Sequence, residues 1–122
     1  MVNILLSSAG RRSYLVRYFN VALKGKGKVF VCNSIKDTTA MVEAEQSFHV
    51  PNFYEPNYLD YMLNICKENQ INMLFSLHDL EAPMLAKNKE LFEKIGTTVL
   101  VSSEDIINTC IDKYATLCYH LL

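Results

Sequence analysis

Val2-Asn3-Ile4-Leu5-Leu6, running straight into Ser7-Ser8-Ala9-Gly10-Arg11-Arg12-Ser13, decides the fold. A short, nearly unbroken apolar run closed by small and polar residues suits a strand buried on both faces, as in a parallel sheet. The period then changes. Leu15, Tyr18, Phe19, Ala22 and Leu23 fall at i, i+3, i+4, i+7 and i+8, one apolar face of a helix. Gly25-Lys26-Gly27-Lys28 stops that helix, with basic residues at its electronegative end. Val29-Phe30-Val31-Cys32 is a second short buried strand. A strand, a helix and a parallel strand within about 30 residues make a βαβ unit with a right-handed crossover.

The same alternation continues. Ala40 to Glu45 has room for one or two helical turns, and Ser47-Phe48-His49-Val50 reads as an edge strand closed by Pro51, which cannot donate to a ladder. Glu55-Pro56-Asn57 opens a helix whose buried stripe is Leu59, Met62, Leu63 and Cys66. Asn72 to Leu77 is a buried strand. Pro83 lies in the first turn of a third helix, with Met84, Leu85, Leu91, Phe92 and Ile95 facing the core and Gly96 ending it. Thr97 to Val101 is a β-branched strand, and Ser103-Glu104-Asp105 caps a short helix through Ile106, Ile107 and Cys110. This pattern predicts an α/β fold: a Rossmann-like, doubly wound parallel sheet of about five strands in the order 3-2-1-4-5.

Composition bounds the function. The 122 residues are half hydrophobic and one-fifth charged, with a net charge of −1, which suits one soluble globular domain. A balance so near neutrality gives no general pull toward nucleic acid or an anionic membrane, so any anion site is local. Cys32, Cys66, Cys110 and Cys118 form no C-x-x-C pair and match no zinc spacing; they read as reduced, packed thiols of a cytoplasmic protein. The N-terminus lacks a basic region and reads as a strand, not a signal peptide. No apolar stretch approaches the ~20 residues that span a bilayer.

In an open parallel sheet, ligands bind at the carboxyl ends of the strands, where strand order reverses. That edge comprises Ser7 to Ser13, with Gly10, Arg11, Arg12 and Ser13 as candidates, Asn33-Ser34, Leu77 to Glu81, with His78, Asp79 and Glu81, and Ser102-Ser103. Arg11 and Arg12 stand at the positive end of a helix dipole, costing about 0.3–1 kcal/mol each unless something balances them. A bound carboxylate or phosphate reverses that sign. Alternatively, the guanidiniums point into water or pair with Asp79, Ser13 is only a first-turn helix residue, and Asp79 and Glu81 are only carboxylates at a helix start. His49 and His120 are weaker candidates. No base–nucleophile set can be assembled, so no catalytic residue and no metal ligand is assigned. A dinucleotide fingerprint is absent, since Gly10 stands alone and Asn33 occupies the place of the acid. Walker A is also missing, and Ser7-Ser8 stand where a receiver domain needs acids.

Three stretches carry a resemblance. Asn3 to Phe19, with its Gly10-Arg11-Arg12-Ser13 loop, is similar to the opening of ATP-grasp ligases of the carbamoyl-phosphate-synthase-large-subunit-like group. So is Ser76-Leu77-His78-Asp79-Leu80-Glu81, with Leu85-Ala86-Lys87-Asn88-Lys89 behind it. Val99 to Ser103, followed by Asp112-Lys113-Tyr114, resembles the exit toward the ATP-grasp fold. The resemblance implies an N-terminal pre-ATP-grasp domain over residues 1–111, with 112–122 beginning the connection to an ATP-grasp module. It implies a substrate-side role in an enzyme that phosphorylates a carboxylate with Mg-ATP and lets an amine or other nucleophile attack the acylphosphate. Gly10, Arg11, Arg12 and Ser13 would then line the substrate or phosphate side, with His78, Asp79 and Glu81 across the cleft.

ATP and Mg²⁺ would belong to the full-length parent, the nucleotide residues lying beyond Leu122, so this chain alone is expected to hold neither and to be inactive. The implied partners are the ATP-grasp module, in cis or as a separate chain, and a small-molecule carboxylate or phosphate. The apolar ending Leu117 to Leu122 raises two further expectations, a chain continued elsewhere and self-association through that segment. Rival readings are a stand-alone small-molecule-binding or regulatory module on the same scaffold, and a remnant of an NAD(P)-dependent enzyme.

Overall fold

The computed structural model describes residues 2–8, 10, 13–35, 39–76, 78 and 81–100. The expected helix after Ser103 and the connection at 112–122 lie outside these residues. Strand β1 (Val2–Ser7) is followed by α1 (Ser13–Leu23), β2 (Gly27–Asn33), α2 (Thr39–Glu43) and β3 (Gln46–His49). Next come α3 (Tyr58–Glu68), β4 (Met73–Ser76), α4 (Ala82–Lys87), α5 (Lys89–Glu93) and β5 (Thr98–Leu100). The five strands form one sheet in the order β3-β2-β1-β4-β5, as the sequence predicts. Every pairing is parallel: Leu5 of β1 lies beside Phe30 of β2 and Leu74 of β4.

Strand order reverses at β1, and the helices divide accordingly. Side chains from one face of the sheet, Ile4, Leu6, Val29, Val31 and Phe75, pack under α1 through Leu15, Val16, Phe19 and Leu23, and under α2 through Ala40. The opposite face, with Leu5, Phe30, Cys32, Leu74 and Val99, is covered by Tyr58, Met62, Ile65 and Cys66 of α3 and by Leu85 and Phe92 of α4 and α5. Each fully buried Phe or Leu contributes about 1.5–3 kcal/mol. Those two apolar faces explain why β1 tolerates no exposed residue beyond Val2.

Three local expectations are corrected. The stripe of α3 is Tyr58, Met62, Ile65 and Cys66, with Leu59 and Leu63 only partly buried, so the helix is rotated toward its aromatic first residue. That helix begins after Pro56, with Asn57 at its N-terminal boundary, rather than around the proline. The single helix expected over 83–95 is two, divided at Asn88, whose side chain donates to the Met84 carbonyl at 2.8 Å and competes with the helical ladder. Pro83 does occupy the first turn of α4. Among the described residues no helix is long and apolar enough to cross a membrane.

Candidate functional site

The carboxyl end of β1 is built around a buried carboxylate. Glu81, at the N-terminal boundary of α4, is fully buried, and so is Ser7, the last residue of β1. Ser7 Oγ donates to Glu81 Oε1 at 2.5 Å, Ser8 Oγ to Oε2 at 2.9 Å, and the Tyr58 hydroxyl to Oε2 at 2.6 Å. Each hydroxyl has one proton, and all three are spent on Glu81. Acceptor-only carboxylate oxygens in a dry site need such donors, because an unpaired buried polar group costs about 1–3 kcal/mol. The cluster therefore joins the β1–α1 turn, the start of α3 and the start of α4.

Its surroundings tune the neighbouring groups. Burial pushes the Tyr58 hydroxyl above its ordinary range, and the nearby Cys32 thiol and Glu81 carboxylate push the same way. The Cys32 thiol is raised by its own burial first, then by Glu81. Tyr58 and Cys32 thus stay protonated, as a donor to Glu81 and a packed thiol respectively. Cys32 Sγ lies 3.6 Å from Met62 Sδ. Ser7 and Glu81 have the composition of a nucleophile–base pair, but both are buried and bonded to each other within the cluster.

Above the cluster the backbone turns sharply. Ser8 has φ +59 and Gly10 φ +55, and Ser8 N–H donates to the Cys32 carbonyl at 3.0 Å. A serine in the left-handed region is held there by the bond to Glu81; at Gly10 the missing Cβ makes the same conformation inexpensive. A Cβ on Gly10 would stand 4.0 Å from Asn33 Nδ2, so these two predicted residues lie against each other. The Gly10 carbonyl also accepts from Ala40 N–H at 3.4 Å, tying the loop to α2.

The remaining predicted residues separate into groups. Asn33 ends β2 and is buried, its Oδ1 accepting from Ile35 N–H at 3.4 Å; Ser34 is exposed, and its carbonyl meets His49 Nε2 at 2.9 Å. Ser13 opens α1 and is partly buried. His78 is exposed, its ring 5.3 Å from that of Phe53, and its carbonyl accepts from Glu81 N–H at 3.1 Å. Glu81 turns inward, so its hydrogen-bonding capacity serves the fold rather than a cleft. Arg11, Arg12 and Asp79 lie outside the described residues.

Ser7 and Ser8 lie on the edge that the sequence marks but carry no role in it, and Tyr58 is absent from it. Tyr58 keeps helical step with Met62 and Cys66, which marks it as buried; a buried phenol then requires a partner. Among the described residues, no group of three or more His, Cys, Asp or Glu could hold a metal ion.

Comparisons with known proteins agree with this architecture. The solved glycinamide-RNase-transformylase T from Mycobacterium tuberculosis matches at 15% identity and a TM-score of 0.57, over 80% of this chain and 25% of that one. The biotin carboxylase subunit of pyruvate carboxylase matches at 16% identity and 0.58, over 95% and 26%. A biotin carboxylase domain of a single-chain bacterial carboxylase gives 15% and 0.51, over 95% and 28%. At such identities the likeness is one of fold, and this chain spans about a quarter of those structures' length. No curated protein sequence matches the chain. Residues 4–100 match the family described as PylC-like, N-terminal domain. The chain belongs to that family of PylC-like N-terminal domains, the Rossmann-like pre-ATP-grasp domain of ATP-grasp ligases that the resemblance implied.

Proposed function

We propose that the chain is the substrate-side domain of an ATP-dependent ligase joining a carboxylate to an amine or other nitrogen nucleophile, of the carbamoyl-phosphate-synthase-large-subunit-like kind. Its part is to hold an anionic group of the acceptor at the carboxyl edge of β1 and β2. The observation that carries this reading is the pair of left-handed residues Ser8 and Gly10, one pinned by Glu81 and the other set against Asn33. This turn leads toward the start of α1, and the sequence puts Arg11 and Arg12 between Gly10 and the helix's first residue, Ser13. A carboxylate or phosphate at that helix end uses its free N–H groups and offsets the cation–dipole repulsion.

The domain's own share of the chemistry is to bind and orient. ATP and Mg²⁺ belong, in this reading, to the ATP-grasp module, in cis or as a partner chain, which supplies the charge neutralisation that phosphoryl transfer requires. The described residues offer no metal cage, and no step is assigned to them through the metal. A cytoplasmic setting and self-association through the C-terminal segment remain parts of the same proposal.

Titration of the chain with inorganic phosphate and with succinate, followed by ¹H–¹⁵N NMR, tests the site. Saturable shifts at the Gly10, Ser13 and Asn33 amides, lost in an Arg11→Ala/Arg12→Ala variant, are expected. Silence at those amides with both anions sinks the reading. Anion binding by a chain whose gene neighbourhood encodes no ATP-grasp module would favour the stand-alone binding module instead.

A further inference from the structure

The loop from Val50 to Asn57, between β3 and α3, crosses the carboxyl end of β1 as a strap. Val50 N–H donates to the carbonyl of Asn33, the last residue of β2, at 3.0 Å. At the far end of the loop Tyr58 opens α3, and its hydroxyl lies 3.1 Å from Ser7 Oγ on the last residue of β1. Two turns fix the course between them. Glu55 N–H donates to the Asn52 carbonyl at 2.9 Å, and Tyr58 N–H to the Glu55 carbonyl at 3.1 Å. Phe53 is thereby carried to His78, beyond the end of β4, with ring centroids 5.3 Å apart. Since β2 and β4 flank β1 in the sheet, the strap runs past the point where strand order reverses. It lies on the α3 face, because Phe53 packs against the core cluster there. The Gly10 turn leads to α1 on the opposite face, so turn and strap bound one edge from two sides.

The strap gathers three rings in a row. Tyr54 is 71% exposed and His78 is exposed, with Phe53 between them partly buried. The Phe53 and Tyr54 centroids are 4.5 Å apart with the planes at 58°, and Phe53 and His78 meet at 44°. Tilted pairs leave ring face uncovered that stacked pairs would hide. The Glu81 cluster takes only the Tyr58 hydroxyl from this region, so it does not account for the row. Rings held on a braced backbone lose little further freedom when a guest arrives. A flat π-system laid against them gains buried area and an offset or edge-to-face contact as well.

We propose that the acceptor is an aromatic carboxylate or phosphate, whose flat ring lies against Phe53, Tyr54 and His78 while its anionic group rests at the Gly10 turn. This rests on the anion-binding reading above and adds the class of molecule that carries the anion. The test is a ¹H–¹⁵N NMR titration of the whole chain with phenyl phosphate, cyclohexyl phosphate and methyl phosphate. Phenyl phosphate is expected to bind about tenfold more tightly than methyl phosphate, the gain a well-placed aromatic contact brings. It should shift the Phe53, Tyr54 and His78 amides together with those of Gly10 and Asn33. Cyclohexyl phosphate, apolar but not flat, should fall near methyl phosphate. Tyr54→Ser and Phe53→Leu should each bring the phenyl-to-methyl ratio down to about twofold, a ratio that each variant supplies from its own folded population. Equal affinity for phenyl and methyl phosphate, cyclohexyl phosphate matching phenyl, or a ratio unchanged in both variants would overturn the proposal. Methyl phosphate bound at Gly10 with no gain from the ring sinks this inference alone, whereas silence at Gly10 and Asn33 with all three sinks the anion site beneath it too.

Discussion

The Tyr58 hydroxyl meets Glu81 Oε2 at 2.6 Å, joining the first residue of α3 to the boundary of α4 inside a fully buried cluster. Tyr58→Phe removes one of three donors and leaves the carboxylate without an equivalent. Hydrogen bonds to charged groups are worth about 1.5–3 kcal/mol, and a loss of that order is expected in urea denaturation. Glu81→Ala strands three hydroxyls together and should cost more than Tyr58→Phe. An unchanged urea midpoint in Tyr58→Phe would show that the cluster carries no stability.

Alkaline pH should unfold the chain through its buried thiols. Burial pushes Cys66 from its ordinary 9.0 up to about 12, against a smaller opposing effect of a hydrogen bond with Thr97, and Cys32 also lies above 9.0. A folded-state value raised above the unfolded one gives stability that is complete below the unfolded value and lost as pH climbs toward the folded one. Stability should hold steady to about pH 9, then fall by about 1.4 kcal/mol per pH unit for each thiol, with the buried Tyr58 hydroxyl, raised from its ordinary 10.0, steepening the fall above about pH 10. Urea midpoints from pH 7 to 11 check the slope. Native Cys32 and Cys66 should react slowly with a thiol reagent at pH 8 and readily in denaturant.

Gly27 opens β2 beside Val2, and a Cβ there would overlap the Val2 carbonyl oxygen and crowd Leu23. Backbone cannot yield as a flexible side chain does. Gly27→Ala should therefore destabilise by about 1–3 kcal/mol, the usual cost of forced overpacking. Gly25, with φ +80 but open space around its Cβ, makes a fair comparison, since Gly25→Ala suffers from conformation alone. Thermal melts of the two variants separate the two causes.

Incubated with Mg-ATP, the chain alone should release no phosphate above the buffer rate in a malachite-green assay. Robust turnover would contradict the division of labour proposed above.

The strands and their order were legible because β1, β2 and β4 are apolar runs buried on both faces, and because the helical period between them forces parallel crossovers. The break at Asn88 was not, since Met84, Leu85, Leu91, Phe92 and Ile95 keep helical spacing across it, while Asn88 itself leaves the helical backbone, with φ −106, and folds its side chain back onto Met84. The site was half legible. Gly10 and Asn33 stand where a switch-point argument puts them, and the structure sets them together. The Glu81 cluster escaped notice because Glu81 stands 23 to 74 residues along the chain from its three partners, and no local pattern encodes such a meeting. A carboxylate at a helix start reads as a dipole partner from sequence, and only packing reveals that it faces inward.

The bond between Ser8 Oγ and Glu81 Oε2 has a consequence for motion. Ser8 N–H, held by Cys32, loses its protection only if the turn lifts away from β2, and the turn is latched from below by two helices arriving from distant parts of the chain. Hydrogen exchange at Ser8 is therefore expected to follow a shared opening of the turn with the starts of α3 and α4, rather than the fraying of an isolated loop. A guest that settles on the turn would slow exchange around Tyr58 as well, at a distance it never touches.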